Sequence, residues 1–177
     1  AEIITDEALI KEEDVAITLT HFGYIKRVPA EIYESQHRGG RGISGMSTRD
    51  EDYAEHVLIT STHDMLLFFT DRGRVYKLKA YEIPESSRIG RGTAVVNLLQ
   101  LQPDEGIQTM IPIHDPEEGG YLFFATEMGQ VKRTELTEFR NIHKGGIIAI
   151  ALNEGDSLIN VIRTWGDDEI LLVTAQG

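Results

Sequence analysis

Thr-His-Phe-Gly at residues 20–23 is the first of four similar tetrapeptides, which continue as Thr-Asp-Arg-Gly at 70–73, Thr-Glu-Met-Gly at 126–129 and Thr-Ala-Gln-Gly at 174–177. Each follows an apolar run typical of a β-strand, at residues 15–19, 65–69, 121–125 and 170–173. After the first three comes a second short run that ends in positive charge, at residues 24–27, 74–77 and 130–133. A strand, a turn with glycine at positive φ and a second strand make a β-hairpin. The chain is therefore predicted to repeat one hairpin-based unit.

A second repeated feature is a glycine loop, whose central glycine lies 17 residues beyond each turn glycine, at Gly40, Gly90 and Gly146. The first glycine loop consists of Gln36, His37, Arg38, Gly39, Gly40, Arg41 and Gly42. The second reads Arg-Ile-Gly-Arg-Gly at residues 88–92 and the third Lys-Gly-Gly at 144–146, so the motif decays along the chain. Because glycine lacks a Cβ and reaches positive φ freely, we expect the first loop to be neither strand nor helix.

These repeats predict an all-β, propeller-like fold with units of about four strands in ~50 residues. The expected boundaries are an acidic leader at 1–14, units at 15–63, 64–119 and 120–168, and the start of a fourth unit at 169–177. Since a closed propeller usually has four to eight blades, we expect the native polypeptide to continue beyond these three and a half. We also expect a short helix at 29–35, a strand at 8–10 and Trp165 packed between blades.

The composition places the sequence among soluble globular proteins. It has 41% hydrophobic and 26% charged residues and no cysteine, which fits a cytoplasmic protein without disulfides or thiolate metal sites. The six histidines show no metal-ligand spacing, and the acidic clusters lack the spaced oxygen ligands of a calcium loop, so no cofactor is expected. No set of residues suggests a nucleophile, a base and an oxyanion site, so catalysis within this chain is not expected.

The charge is segregated along the sequence. A formal net charge of −12 argues against a nucleic acid partner, because phosphate binders are usually basic. Residues 20–50, 71–92 and 126–144, however, contain 15 of the 17 Lys and Arg and only 9 of the 29 Asp and Glu. Basic bands on one surface would let the local field select the partner. The alternatives are chance clustering and loops whose arginines simply face water.

The residue types in these bands favour phosphate binding. Arginine provides a permanent charge and forked donors, and glycine lets main-chain N–H groups approach an anion. Such contacts position a nucleic acid without reading its bases. The candidate contacts on strands are Lys26, Arg27, Arg74, Lys77, Lys132 and Arg133. The candidate contacts in loops are the seven residues 36–42 together with Arg88, Arg91 and Lys144.

The first glycine loop resembles the diagnostic box of the C-terminal DNA-wrapping domain of the DNA gyrase A subunit, Gln-x-Arg-Gly-Gly-Arg/Lys-Gly. Residues 36–42 match that box at every fixed position. The flanks are similar as well, with Thr-Leu-Thr-His at 18–21, Gly-Tyr-Ile-Lys-Arg at 23–27 and Gly-Met at 45–46. The related A subunit of topoisomerase IV shares the blades but lacks or degrades the box, so an intact box favours gyrase.

The resemblance implies a β-pinwheel, usually of six blades that exchange strands, with double-stranded DNA bent around a basic rim. It also implies a parent enzyme that introduces negative supercoils with ATP, whose catalytic tyrosine, ATP site and Mg²⁺ site lie in other domains. The implied partners are DNA, the N-terminal domains of gyrase A and the gyrase B subunit in an A2B2 assembly, and the fragment itself is expected to be a monomer. Two alternatives stay open: a propeller whose basic rim binds an acidic protein, and a leader that competes with phosphate for the rim.

Overall fold

The structure is a computed structural model that describes residues 7–38 and 51–166 of the chain. The strands in this part are β1 (Asp14–Thr20), β2 (Tyr24–Pro29), β3 (Ala54–Ser61), β4 (Met65–Thr70), β5 (Arg74–Lys79), β6 (Thr93–Ala94), β7 (Ile107–Ile113), β8 (Tyr121–Thr126), β9 (Val131–Glu135), β10 (Ile147–Ile148) and β11 (Leu158–Thr164). Helix α1 (Ala30–Arg38) follows β2, and 3-10 turns occur at Ala80–Glu82, Val95–Asn97 and Leu136–Phe139.

The strands form three antiparallel sheets that exchange strands. Sheet 1 has the order β3-β1-β2-β6, sheet 2 has β10-β5-β4-β7, and sheet 3 has β11-β8-β9 in the described part of the chain. The two-residue edge strands β6 and β10 come from the following unit: Thr93 lies opposite Ile25, and Ile147 lies opposite Val75. The all-β, propeller-like fold is confirmed, and sheets 1 and 2 are each completed by a strand of the following unit.

The shared geometry of the Thr-x-x-Gly tetrapeptides comes from the threonine hydroxyl. In each hairpin this oxygen accepts a hydrogen bond from the main-chain N–H four residues later, which closes the turn over the glycine. The three bonds are Tyr24 to Thr20 at 3.0 Å, Arg74 to Thr70 at 3.2 Å and Gln130 to Thr126 at 2.9 Å. The turn glycines Gly23, Gly73 and Gly129 have φ of 90°, 80° and 91°, a region that disfavours other residues.

Sheet 2 lies between the other two sheets. All six residues of β4 are buried, because both of its faces are covered, whereas a strand with one solvated face would alternate. On one face Leu66 and Phe68 share a core with Ile17 of sheet 1. On the other, the ring of Phe69 meets that of Phe124 of sheet 3 edge to face, with centroids 5.4 Å apart. Successive sheets are therefore joined by apolar cores.

The acidic leader differs from the sequence expectation. The strand expected at residues 8–10 is wrong, because this segment is a helical turn in which Ile10 N donates to Glu7 O at 3.1 Å. The leader then runs along the turn between β3 and β4, where the Thr62 hydroxyl donates to Lys11 O at 2.7 Å. One local bond and one bond to a distant side chain thus satisfy main-chain groups of the leader without a partner strand.

Trp165 also differs from its expected position. Its side chain is 56% exposed, and the guanidinium carbon of Arg163 lies 4.2 Å from its ring centroid. The expectation that it packs between blades is wrong for the described residues. The reason is that Trp165 follows β11, the edge strand of sheet 3, where a cation–π contact replaces burial.

An ion pair links the turn before β4 to the residue after β7. His114 Nδ1 lies 2.8 Å from Asp64 Oδ1. The hydrogen bond with Asp64 raises the pKa of His114 above 6.5, with smaller contributions from Glu118 and Glu12. Burial would raise the pKa of Asp64, but hydrogen bonds from Thr60, His114 and Ser61 outweigh it and hold that pKa below 3.8.

The pair should therefore stabilise the fold while both groups are charged. The contribution of His114 is complete below pH 6.5 and is lost as the pH rises through its folded pKa, whereas that of Asp64 is lost as the pH falls through its own. We expect the urea concentration at the unfolding midpoint to decrease as the pH is raised from about 6 to about 8. His114→Gln should make this decrease smaller. Superimposable pH profiles for the two proteins would contradict the assignment.

Candidate nucleic-acid interface

The ammonium group of Lys26, on β2, lies against the second glycine loop. Its Nζ donates to the carbonyl oxygens of Ser87, Arg88 and Gly90 at 3.2, 2.8 and 3.0 Å. An ammonium has three N–H donors, so each of them has a main-chain partner here. Burial lowers the pKa of Lys26, as expected when a cation is desolvated. Lys26 therefore holds the loop of the next unit and has no donor left for a phosphate.

Arg74, on β5, makes the corresponding contact one unit later. Its Nη2 donates to the carbonyl of Gly145 in the third glycine loop, and its Nε donates to the hydroxyl of Tyr76 at 3.3 Å. Tyr76 occupies the position that Lys26 has in the first unit, three residues after the turn glycine. Its ring covers Gly146, where an added Cβ would lie 2.7 Å from a ring atom. An Arg–Tyr pair thus replaces the lysine in the second unit.

Arg27 and Lys77, each four residues after a turn glycine, also bind the following unit. Arg27 Nε donates to the carbonyl of Ile83 at 2.8 Å, and its Nη1 lies 3.7 Å from Glu85. Lys77 Nζ donates to the carbonyl of Arg140 at 3.3 Å. Both carbonyls belong to the residue that ends a 3-10 turn. The strand cations of the first two units therefore tie successive units together.

The strand cations of the third unit are more exposed. Lys132 Nζ donates to the carbonyl of Ala149, in its own unit, at 3.0 Å. The guanidinium carbon of Arg133 lies 4.4 Å from the ring centroid of Tyr121. Both cationic residues are exposed, so Arg133 presents its charge to solvent from the face of an aromatic ring.

The loop cations differ from the strand cations of the first two units, because they lie at the surface. Arg88, Arg91 and Lys144 are all exposed. The guanidinium of Arg91 stacks on Tyr24, with its carbon 4.6 Å from the ring centroid, and one Nη donates to the tyrosine hydroxyl at 3.4 Å. The stacking limits the freedom of Arg91 while its charge stays in water. In the second and third units these loops therefore carry cations that are open to solvent.

A cleft of about 310 Å³ brings the second glycine loop and the first unit to one surface. Its lining includes the cations Arg88, Arg91 and Lys26, together with Tyr33 of α1 and Asp52. The remaining lining residues are Thr18, Thr20, Val28, Tyr53, Ala54, Val57 and Gly90. Tyr33, in the middle of α1, and the cationic loop of the next unit therefore lie at the same cleft.

The first glycine loop is partly helical. Gln36, His37 and Arg38 form the last residues of α1, so the expectation that they lie outside any helix is wrong. Their side chains tolerate a helix, and glycine is the residue that commonly follows a helix end. The predicted contacts at 39–42 lie outside the described residues.

The described residues contain no candidate metal site and no candidate membrane-spanning helix. Within them, no group of three or more His, Cys, Asp or Glu side chains could hold a metal ion. No helix of 7–38 or 51–166 is long and apolar enough to cross a membrane. The expected lack of a cofactor stays a prediction.

Two residues beside the loop cations were missed by sequence reasoning. Tyr24 supports Arg91 from the first position after a turn glycine, where the other units have Arg74 and Gln130. Ile89 stands between Arg88 and Gly90 and is 87% exposed. The sequence signal that could have identified Ile89 is its apolar side chain within an otherwise cationic, glycine-rich loop.

Known proteins share this arrangement of hairpins. The model of the DNA gyrase C-terminal domain, a β-propeller, matches residues 14–61, 64–114 and 120–164. The chain belongs to this family. The DNA gyrase A subunit of Clostridium acetobutylicum is 54% identical to it over 171 residues, which cover 97% of this chain and 21% of that relative. The chain thus spans about a fifth of the length of the curated gyrase relatives that it matches.

Two solved structures agree with the gyrase fold. The C-terminal domain of DNA topoisomerase IV superposes with a TM-score of 0.72 at 30% identity, over 89% of this chain and 48% of that one. A DNA gyrase A C-terminal domain superposes with a TM-score of 0.62 at 28% identity, over 88% and 49%. The family resemblance seen in the sequence is confirmed, while the exact unit boundaries of this gyrase domain stay predictions.

Proposed function

We propose that this chain is the DNA-binding and DNA-wrapping module of a bacterial DNA gyrase A subunit. The observation that carries the proposal is a cationic glycine loop in the second and third units, each held by a cation of the preceding unit. Arg88 and Arg91 are exposed on the loop that Lys26 holds, and Lys144 is exposed on the loop that Arg74 holds. Regularly repeated cations suit a curved duplex, whose phosphates also recur at regular intervals.

The energetics are consistent with wrapping. Bending a duplex of 20–30 base pairs costs on the order of 1–6 kcal/mol, and many phosphate contacts can offset that cost. Arg133 would add a contact in the third unit, and the box residues Arg38 and Arg41 would add two in the first. Since phosphate contacts carry no sequence information, this part of the interface binds DNA of any sequence.

The parent enzyme would use this module to introduce negative supercoils with ATP. Its catalytic tyrosine, ATP site and Mg²⁺ site would lie in other domains, so this chain by itself needs no cofactor and catalyses no reaction. The module would act beside the N-terminal domains of gyrase A and the gyrase B subunit in an A2B2 assembly in the cytoplasm, and the isolated fragment would be a monomer.

The corresponding module of topoisomerase IV is the second candidate, favoured by the TM-score of 0.72 to its C-terminal domain. The gyrase assignment is preferred because a curated gyrase relative is 54% identical, against 30% for that structure. A protein-binding propeller is the third candidate. It predicts that the basic rim binds an acidic protein and that duplex DNA does not compete.

The test is equilibrium binding to short and long duplex DNA over a range of salt concentrations. We expect steeply salt-dependent binding that favours the longer duplex, because more phosphates are contacted as the DNA bends. Arg38→Ala/Arg41→Ala should reduce the slope of log K against log salt by about two units, roughly 0.9 for each lost contact.

The matched control is Lys11→Ala/Arg72→Ala, which removes the same charge from two exposed residues outside the predicted contacts. It should leave the slope nearly unchanged, because it changes net charge and not the interface. Absence of binding to any duplex at low salt would overturn the proposal, as would equal slopes for the two double variants.

A further inference from the structure

Glu105 has a buried carboxylate in the turn before β7. Its side chain is 0% exposed, although an acidic side chain is rarely buried unless it is paired. Oε2 accepts a hydrogen bond from the Thr70 hydroxyl at 2.7 Å, and Oε1 accepts one from the main-chain N–H of Gln102 at 2.8 Å. Oε1 also accepts from the Tyr76 hydroxyl at 2.8 Å, and Arg74 Nε lies 3.9 Å from Oε2. The carboxylate therefore contacts two side chains of β5.

The first and third units have a carboxylate at the corresponding position, two residues before a strand. Asp52 precedes β3 and Asp156 precedes β11 in this way, as Glu105 precedes β7. Each aspartate closes the turn of its own hairpin. The main-chain N–H of Phe22 donates to Asp52 at 2.8 Å, and that of Met128 donates to Asp156 at 2.9 Å. These two carboxylates therefore stabilise a turn within one unit.

The second unit closes its hairpin turn without Glu105. Arg72 is the residue that corresponds to Phe22 and Met128, and its main-chain N–H donates to the Thr70 hydroxyl at 3.3 Å. The main-chain group therefore has a partner other than the carboxylate. Glu105 is left to bind the side chains of β5 instead.

The change from aspartate to glutamate accompanies a change three residues after the turn glycine. At that position the first and third units have Lys26 and Lys132, whereas the second has Tyr76. Glutamate is one methylene longer than aspartate, which lets Glu105 reach the tyrosine hydroxyl. That hydroxyl has a single hydrogen, and Glu105 Oε1 at 2.8 Å is a nearer acceptor than the carbonyl of Gln100 at 3.2 Å. The residue types at the two positions therefore match each other within each unit.

The contacts of Glu105 continue to the third glycine loop. Arg74 Nη2 donates to the carbonyl of Gly145, and the ring of Tyr76 covers Gly146. The N–H of Gly146 donates to the carbonyl three residues earlier at 2.8 Å, which makes residues 143–146 a tight turn. Lys144 is exposed in this turn. The buried carboxylate and the exposed cation thus belong to one connected set of contacts.

We propose that Glu105 is a positioning residue for the third glycine loop: it fixes Arg74 and Tyr76, and through them it presents Lys144 to a DNA phosphate. The inference rests on the proposed function, since it needs DNA at this loop. The charge of Arg74 faces the carboxylate and a main-chain carbonyl, so Lys144 supplies the attraction for the phosphate. Loss of the carboxylate should loosen the turn without altering any surface residue.

Hydrogen exchange of the third loop, measured by NMR, tests the positioning without DNA. Glu105→Gln keeps the size of the side chain but replaces one acceptor oxygen by an NH₂ group, which cannot accept a hydrogen bond. Exchange of the Gly146 amide hydrogen should become about five- to tenfold faster. The Gly90 amide makes the same kind of bond in the second loop and should keep its rate. An unchanged rate at Gly146, or equal increases at both glycines, would overturn the inference.

Salt-dependent DNA binding tests whether the loop is positioned for a phosphate. Glu105→Gln should lower the slope of log K against log salt by up to about 0.9, the value of one contact. Lys144→Ala should lower it by about 0.9 as well. The double variant should lose no more than Lys144→Ala alone, because Glu105 acts through Lys144. Additive losses would overturn the inference, since Glu105 would then act on other contacts.

The matched control is Asp156→Asn, which makes the same change from carboxylate to amide at the corresponding position of the third unit. Both variants remove one negative charge, so a general effect of charge on DNA binding would appear in both. Asp156→Asn should leave the Gly146 exchange rate and the salt slope as they are. Equal effects of the two variants would overturn the inference.

Tyr76→Phe is a second variant that keeps the test decisive if Glu105→Gln fails to fold. It removes only the hydroxyl that joins Glu105 to the ring covering Gly146. It should speed Gly146 exchange in the same way, and an unchanged rate would overturn the inference. Absence of salt-dependent DNA binding by the unmodified chain would overturn the proposed function, whereas Gly146 exchange would still decide whether Glu105 holds the loop.

Discussion

Gly92→Ala is expected to destabilise the chain by about 3–5 kcal/mol, at the upper end of single-residue effects. The φ of Gly92 is +96°, in the left-handed region that L side chains rarely adopt. A Cβ at this position would lie 2.5 Å from the carbonyl oxygen of Ile25 and 2.9 Å from the Cβ of Lys26. Both atoms belong to the rigid strand β2, so β6 would have to move away from it. The substitution would thus damage the exchanged strand that completes sheet 1.

The measurement is urea unfolding followed by circular dichroism, and Gly129→Ala is the matched control. Gly129 has nearly the same φ, +91°, but a Cβ there would have no atom within 4 Å. Its substitution should cost only the backbone strain, on the order of 1–3 kcal/mol. Equal losses for the two variants would contradict the conclusion that contact with β2 is what requires glycine at 92.

The hairpins could be predicted from the sequence because they depend on local chemistry. Thr20 and Gly23 lie three residues apart, and the threonine hydroxyl and the glycine φ that shape the turn act within five residues. The apolar run of β4 is equally local, and the structure explains its lack of alternation, since both of its faces are covered. Each described repeat of the Thr-x-x-Gly tetrapeptide therefore forms a hairpin in the fold.

The exchanged strands depend on distant residues and left little signal. β6 and β10 have two residues each, and each pairs with a strand of the preceding unit. Thr93 is 68 positions from its partner Ile25. The family resemblance implied such an exchange, but no periodicity can be read from two residues.

The roles of the cations could not be separated from the sequence either. Lys26 and Arg88 are both cationic residues in basic bands, yet Lys26 binds three carbonyl oxygens and Arg88 faces water. A lysine that binds phosphate and one that binds the main chain have the same residue type and the same strand position. What distinguishes them is a loop about 60 residues away, which only the folded structure brings into contact.

Lys26→Met tests this separation of roles. Methionine keeps an apolar stem of similar length but removes the ammonium that binds three carbonyl oxygens. Hydrogen bonds to a charged group contribute about 1.5–3 kcal/mol each when well buried. Since Lys26 is only partly buried and one group makes all three bonds, we expect a total loss of about 2 kcal/mol in unfolding free energy.

Lys77→Met is the matched control, because Lys77 makes one such bond, at 3.3 Å, and should lose less than about 1 kcal/mol. If Lys26 instead bound a phosphate directly, its replacement would leave the free energy of unfolding unchanged and lower the salt slope of DNA binding by about one unit. If Lys26 positions the loop, its replacement should clearly lower the free energy of unfolding. It should also weaken DNA binding, because Arg88 and Arg91 lose the turn that carries them. Urea unfolding and a salt series on the same two variants would therefore decide whether the strand cations belong to the DNA surface or hold that surface in place.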